Sequence, residues 1–362
     1  MTEPRQMLSS MPTRNPTEGT FELTIRCNLH CKMCLFRHDD SENAKLMAEE
    51  LTAEQWVDMA RQAAEAGTLD LLITGGEPML RPDFCEIWEG IYKQGFIITL
   101  YTNATLVTDK IMETLRKFPP HRIGITFYGS NPDVYKKVTG SARAFEQALQ
   151  GARKLMTLPS QKVFRMTLIQ DNKEDVSQIE DMVHREFGPE HLVTFTFRIH
   201  QPVRGGCADA ASCRLSPGEY IDLLFKNTLR EIKKDYKDII DEDCLSLEIK
   251  QKERNTEGAV RYSLFGCDAG MRSYAISYSG MLMGCQLLGM FSENAARDGL
   301  LQAWEAYPYC VNLPDRDPKC MTCEDRDYCS SCPASRYAET GDLAGIPEYS
   351  CEEARLLKSL SK

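Results

Sequence analysis

No stretch of this chain reaches ~18 uninterrupted apolar residues, so no segment reads as a transmembrane helix. The N-terminal MTEPRQMLSSMPTRNPTEG is polar and lacks the apolar core of a secretory signal. There is no excess of positive charge: Lys+Arg 43 against Asp+Glu 53 leaves a net charge of −10. That balance argues against a nucleic-acid or anionic-membrane binder. Internal repeats and low-complexity tracts are also absent, which excludes solenoids and repetitive disordered arrays. These absences predict a cytoplasmic protein with neither nucleic acid nor membrane as partner.

Cysteine is what the chain has in quantity, with 15 residues. In a reducing compartment thiols stay free, and clustered cysteines mean metal binding or catalysis. Their spacing divides the chain. Cys27, Cys31 and Cys34 fall together, only Cys85 follows before Cys207, and a dense group spans Cys320 to Cys332. This predicts a disordered segment at 1–19, a first domain at 20–205, a loop and linker helix at 206–260, and a cysteine-organised domain at 261–362.

Within the first domain, runs rich in β-branched and aromatic residues predict strands at 21–26, 69–74, 96–102, 122–128, 162–169 and 192–199. They mostly lack polar alternation, as expected for a parallel sheet buried on both faces. Helix-length segments separate them. Thr52 with Gln55 forms a capping-box pattern, and Gly67 sits where that helix should stop. Residues 144–156 and 174–188 read the same way. Six β/α units give an α/β fold, an open sheet or a curl toward a barrel, with chemistry at the C-terminal strand ends. Residues 217–240 read as a charged helix begun by Pro217.

Directly after the first strand comes Cys27-x₃-Cys31-x₂-Cys34. Three thiolates in one loop leave a coordination position open. The alternative is a zinc knuckle completed by His30 or a distant cysteine. The second strand ends in Thr74-Gly75-Gly76-Glu77-Pro78, whose glycines permit close backbone approach and whose carboxylate accepts hydrogen bonds from an ammonium group.

CxxxCxxC after the first strand and GGEP after the second resemble the radical S-adenosylmethionine (SAM) superfamily. Met33 stands where the family usually has an aromatic residue. The resemblance implies a partial (β/α)6 barrel, a [4Fe–4S] cluster on Cys27, Cys31 and Cys34, and SAM held through Gly75, Gly76, Glu77 and Pro78. Thr102-Asn103 looks like the family's TN(G) element, with Ala104 in place of glycine. Ser130 is a candidate for the cofactor's ribose or carboxylate, Arg165 for the carboxylate, and 168–175 falls where the family contacts adenine. The implied chemistry is reductive cleavage of SAM to a 5′-deoxyadenosyl radical, which abstracts hydrogen from substrate. An external flavodoxin or ferredoxin would supply the electron.

Toward the C-terminus, Cys267-x₁₂-Gly280-x₄-Cys285 is followed by Cys320-x₂-Cys323-x₅-Cys329-x₂-Cys332 and then Cys351. Seven cysteines exceed one tetrahedral zinc, although two zinc sites would fit the count. The order resembles the SPASM extension of radical SAM enzymes, a small cysteine-rich domain that binds two auxiliary [4Fe–4S] clusters. That resemblance implies Cys320, Cys323, Cys329 and Cys351 on an outer cluster, and Cys267, Cys285 and Cys332 on an inner one. Arg261 occupies the usual place of the fourth inner ligand, leaving Cys244, Cys310 or an open iron. With the catalytic cluster this makes three.

Of the remaining cysteines, Cys85 reads as core. Cys207 and Cys213, near the expected mouth of the site, are loop thiols or hydrogen-atom donors. Arg198 and Arg204 flank the same mouth. Family members of this kind act mostly on peptides. The implied substrate is a ribosomally made precursor peptide that is crosslinked or epimerised, with a separate leader-recognition protein as a further partner. Gln286, after Cys285, stands where the sulfatase-maturing kind has Asp. The alternative function is a small-molecule dehydrogenase that uses the auxiliary clusters as electron acceptors.

Overall fold

A computed structural model describes residues 13–196, 199–200, 209–235 and 264–360, the side chains of 227–235 excepted. Cys207, Cys244, Arg198, Arg204 and Arg261 lie outside these residues, as does most of the expected linker.

Six parallel strands run along one sheet: β1 (Glu18–Glu22), β2 (Asp70–Thr74), β3 (Ile97–Thr102), β4 (Arg122–Thr126), β5 (Gln161–Thr167) and β6 (Val193–Thr196). Each pairs with its predecessor, as successive crossovers dictate. The crossovers include α1 (Ala53–Glu65), α2 (Phe84–Tyr92), α3 (Asp109–Lys117), α4 (Pro132–Thr139), α5 (Arg143–Met156) and α6 (Val176–Phe187). The capping box at Thr52 and Gln55 is present, and Gly67, at φ +95°, follows the end of α1.

The strands alternate more than the sequence predicts. In β3 every second residue is buried, and the residues between are open or half-buried. Phe21, Ile73, Leu100, Ile125 and Phe164 face the helices, with Phe21 against Trp56 of α1 and Phe164 against Phe187 of α6. The opposite face carries Thr74, Tyr101, Thr126 and Arg165 and is only half covered. Among the described residues its side chains are mostly half-buried, and Glu22 is fully buried.

The cysteine-rich part is not separate from this sheet. Strand β7 (Ser273–Ile276) pairs parallel to the free edge of β1, Phe21 opposite Ile276, and β8 (Met281–Met283) and β9 (Ser292–Asn294) continue antiparallel. The strand order is β6-β5-β4-β3-β2-β1-β7-β8-β9 and the sheet does not close. The predicted domain boundary at 261 is therefore a boundary in cysteine content, not in the sheet.

Residues 13–19, placed by the sequence in a disordered segment, are held in the fold. Asn15 N donates to Met271 O at 3.1 Å and Glu18 N to Arg272 O at 3.0 Å. Arg14 donates to Gly270 O at 2.7 Å and Trp304 O at 2.9 Å, and lies 4.1 Å over the Trp304 ring. Their anchors are more than 250 residues away, so no local pattern could announce them.

Four longer helices follow β6 in the chain: α7 (Pro217–Asp235), α8 (Leu300–Cys310), α9 (Pro333–Thr340), whose N-cap is Cys332, and α10 (Glu348–Leu360). Among the described residues no helix is long and apolar enough to cross a membrane.

Candidate active site and auxiliary cysteine sites

At the C-terminal ends of β1 and β2 the chain continues as a ladder. Gly76 N donates to Thr24 O at 2.7 Å and Glu77 N to Arg26 O at 3.0 Å. A Cβ on Gly75 would lie 2.1 Å from Thr24 O, and one on Gly76 2.3 Å from Arg26 O. Both glycines are thus required by the neighbouring backbone that leads into Cys27. This backbone contact is a requirement on the two glycines that the sequence did not show.

That entry is clamped. Arg26 meets Glu50 with two bonds, at 2.8 and 2.9 Å, and Thr24 donates to the same carboxylate. Arg81, almost fully buried, donates to Leu23 O and Leu51 O at 2.9 Å each and pairs with Asp83 at 2.7 Å. Removing one partner from such a buried network costs about 3–5 kcal/mol, because an unpaired charge remains. Arg26 and Glu50 have no motif of their own and went unnoticed in the sequence.

Glu77 is fully buried and accepts three hydrogen bonds: Thr102 Oγ1 at 2.8 Å, Asn103 N at 2.7 Å and Met79 N at 3.1 Å. Burial lifts its carboxyl to about 7, against the lowering effect of those donors. A buried, donor-supported carboxylate with no cation paired to it among the described residues suits an incoming ammonium group. Asn103 also reaches the cysteine loop. Its amide nitrogen donates to Asn28 Oδ1 at 3.1 Å and lies 3.7 Å from Cys27 Sγ. Asn28 donates to Thr105 Oγ1 at 2.8 Å, and Thr105 Oγ1 returns to Asn103 Oδ1 at 2.6 Å, closing a ring. Ala104, a non-glycine residue at φ +58°, makes the turn that allows it.

The three cysteines converge on this place. Burial first, then Glu77 and Cys34, pushes Cys27 up to about 12. Burial, then Cys34 and Cys27, raises Cys31, opposed by a hydrogen bond from Tyr128. Leu29 N and Phe36 N each donate to a cysteine sulfur, Cys27 and Cys34, at 3.4 Å. Backbone N–H groups aimed at sulfur are the environment a bound cluster uses.

The other predicted contacts divide. Arg165 lies on the half-covered face, 4.1 Å over the Tyr101 ring and in register with Thr126, which the sequence reading missed. Ser130 donates its N–H and hydroxyl to Asp175 at 2.5 and 2.6 Å, so its hydrogens are committed within the protein. Asn172, in the 168–175 turn, donates to Tyr128 O at 3.2 Å. Cys213 is buried with its thiol on Ala210 O of its own helical turn at 3.4 Å.

The C-terminal cysteines fall into two groups. Cys320, Cys323, Cys329 and Cys351 line one cavity. Cys285 is raised by burial and by neighbouring Cys332 and Cys267. Cys310 is turned elsewhere: it donates to Tyr307 O at 3.0 Å, and burial followed by Glu293 pushes it up to about 12. Among the described residues, no three Cys, His, Asp or Glu side chains stand close enough to hold a single metal ion. Four cysteines around one cavity are the donor set that a [4Fe–4S] cluster would use. Arg336, 3% exposed, lines the same cavity, and its Nη1 has no hydrogen-bond partner there. A buried cation with an orphan donor fits an anionic cluster.

Residues 21–183 match the model of the Radical SAM superfamily. An AdoMet-dependent heme synthase of Methanosarcina barkeri is 26% identical over 354 residues, covering 93% of this chain and 97% of its own. Among solved structures, Streptococcus suis SuiB bound to precursor peptide SuiA superposes with a TM-score of 0.66 at 17% identity, covering 96% of this chain and 79% of SuiB. The anSMEcpe enzyme with bound AdoMet and Cp18Cys peptide gives 0.62 at 12% identity, covering 97% of each chain.

Proposed function

From the radical SAM domain at residues 21–183, which makes this chain a member of that superfamily, we propose an enzyme that cleaves SAM reductively and abstracts hydrogen from a substrate carbon. The observation that carries this reading is the junction at Asn103. One residue holds the carboxylate suited to the SAM ammonium and the loop of three cysteines at once. A [4Fe–4S] cluster held by Cys27, Cys31 and Cys34 would supply the electron for reductive cleavage of SAM. The chain's own residues do the rest. Glu77 would orient the amino group, Arg165 and Thr126 would offer partners to the carboxylate, and the buried residues at the strand ends would exclude water.

For the substrate, we propose a ribosomally made peptide, matured by a crosslink or an epimerisation. The half-covered sheet face and the unclosed sheet support it, since an extended chain enters from the side. The fold is also that of two enzymes solved with bound peptides. The second reading, a small-molecule dehydrogenase with the auxiliary sites as electron acceptors, is favoured by the heme synthase, which aligns over nearly its whole length.

The test is anaerobic reconstitution followed by dithionite reduction with SAM. Brown protein that releases 5′-deoxyadenosine is expected, and a colourless, zinc-loaded protein without cleavage would refute the reading. Deuterium transfer into 5′-deoxyadenosine from a labelled candidate peptide or from a labelled tetrapyrrole precursor then separates the two substrates.

A further inference from the structure

The outer cysteine cavity contains more positive charge than its own side chains balance. Arg336, Arg316, Arg326 and Arg355 line it, with Asp325 as the one carboxylate, and Asp325 already pairs with Lys358 at 2.8 Å. Arg336 is the buried one. Its Nε donates to Leu343 O at 2.6 Å, while Nη1, buried, has no partner among the described residues. An unpartnered buried donor costs about 1–3 kcal/mol, and more when charged. Burial first, then the neighbouring Arg316, holds this guanidinium below its ordinary value, against the opposite pull of Cys332, Cys320 and Cys329. Such a cation is tolerable only if the cavity holds an anion.

Its place in the chain adds a second constraint. Cys332, of the inner set, is the N-cap of α9, and Arg336 N donates back to Cys332 O at 3.0 Å. One turn of helix therefore places a guanidinium in the outer cavity from a root at the inner site. Hydrogen bonds to sulfur and local positive charge both stabilise the more negative, reduced form of a cluster, and so raise its reduction potential.

We propose that Arg336 is a positioning residue that raises the potential of the outer auxiliary cluster by donating Nη1–H to it. The proposal rests on the reading that Cys320, Cys323, Cys329 and Cys351 carry a [4Fe–4S] cluster. Its consequence is directional: the outer site accepts an electron more readily with Arg336 than without it.

The experiment is iron and sulfide analysis followed by an EPR-monitored redox titration of reconstituted full-length protein. Wild type is compared with Arg336→Gln, Arg336→His and Arg355→Gln, the last removing an exposed cation from the same cavity. Arg336→Gln is expected to keep its iron while one auxiliary signal moves to lower potential. The shift should be at least tenfold in oxidised-to-reduced ratio, about 59 mV for a one-electron couple. Arg355→Gln should leave the signal in place, because solvent screens an exposed charge. In Arg336→His that same potential should fall as pH rises through the imidazole range, while wild type stays flat.

Full iron with unmoved potentials in Arg336→Gln overturns the inference and leaves the enzyme reading intact. Iron for only one cluster in wild type overturns the auxiliary-site reading itself. If Arg336→Gln loses outer iron, the histidine variant decides: a pH-independent potential there overturns the proposal.

Discussion

The backbone N–H of Asn103 donates to Glu77 Oε2 at 2.7 Å, while the same residue's side chain bonds Asn28, next to Cys27. Two motifs 50 residues apart in sequence are thereby fixed to each other through a third strand. Cofactor orientation and cluster-loop geometry are mechanically one unit.

Truncating this junction should weaken both halves. A hydrogen bond to a charged group contributes about 1.5–3 kcal/mol, so Thr102→Val should weaken SAM affinity about 10- to 100-fold with cluster iron retained. Asn103→Ala should in addition slow 5′-deoxyadenosine release and alter the EPR signal of the catalytic cluster. Equilibrium binding and EPR on the two variants check this, and an unchanged signal in Asn103→Ala would remove the proposed link.

Glu77 gives the apoprotein a specific pH dependence. Its folded value, about 7, lies above the ordinary 4.5. The native state therefore holds the proton more tightly than the unfolded chain. The stability this confers is complete below about 4.5 and is lost as pH rises toward about 7. Comparing the pH dependence of Tm for apo wild type and Glu77→Gln isolates the effect: the fall across that window should be smaller in the variant. SAM binding by wild type should strengthen over the same window, because the ammonium needs the ionised carboxylate.

Gly75→Ala tests whether the glycine serves the backbone. The added Cβ would stand 2.1 Å from Thr24 O at a φ of +141°, so the strand ladder itself must shift. A loss of roughly 2–4 kcal/mol is expected in urea unfolding of the apoprotein, where no ligand is present. A stable apo variant defective only in SAM binding would favour the ligand-approach reading.

The cysteine sets predict separable losses. Replacing Cys27, Cys31 and Cys34 by alanine should remove about one cluster of iron and all SAM cleavage, with the auxiliary iron kept. Cys320→Ala with Cys351→Ala should lose the outer iron alone. Cys310→Ala should leave iron unchanged, because its thiol bonds Tyr307 O.

The sequence alone determined the α/β order, the positions of the six parallel strands to within a few residues, and the spacing of the cysteines, because those signals are local. Hydrophobic runs, caps and short ligand spacings are written within a few residues of one another. It could not reveal that β7 to β9 extend the open parallel sheet, that Arg14 docks on Trp304, or that Gly75 and Gly76 abut the Thr24 and Arg26 backbone. Nor could it find Arg336 in the outer cavity or Asn28 in the Asn103 ring. Each of these depends on which distant segments share an edge or a cavity, and that is decided only when the whole chain packs.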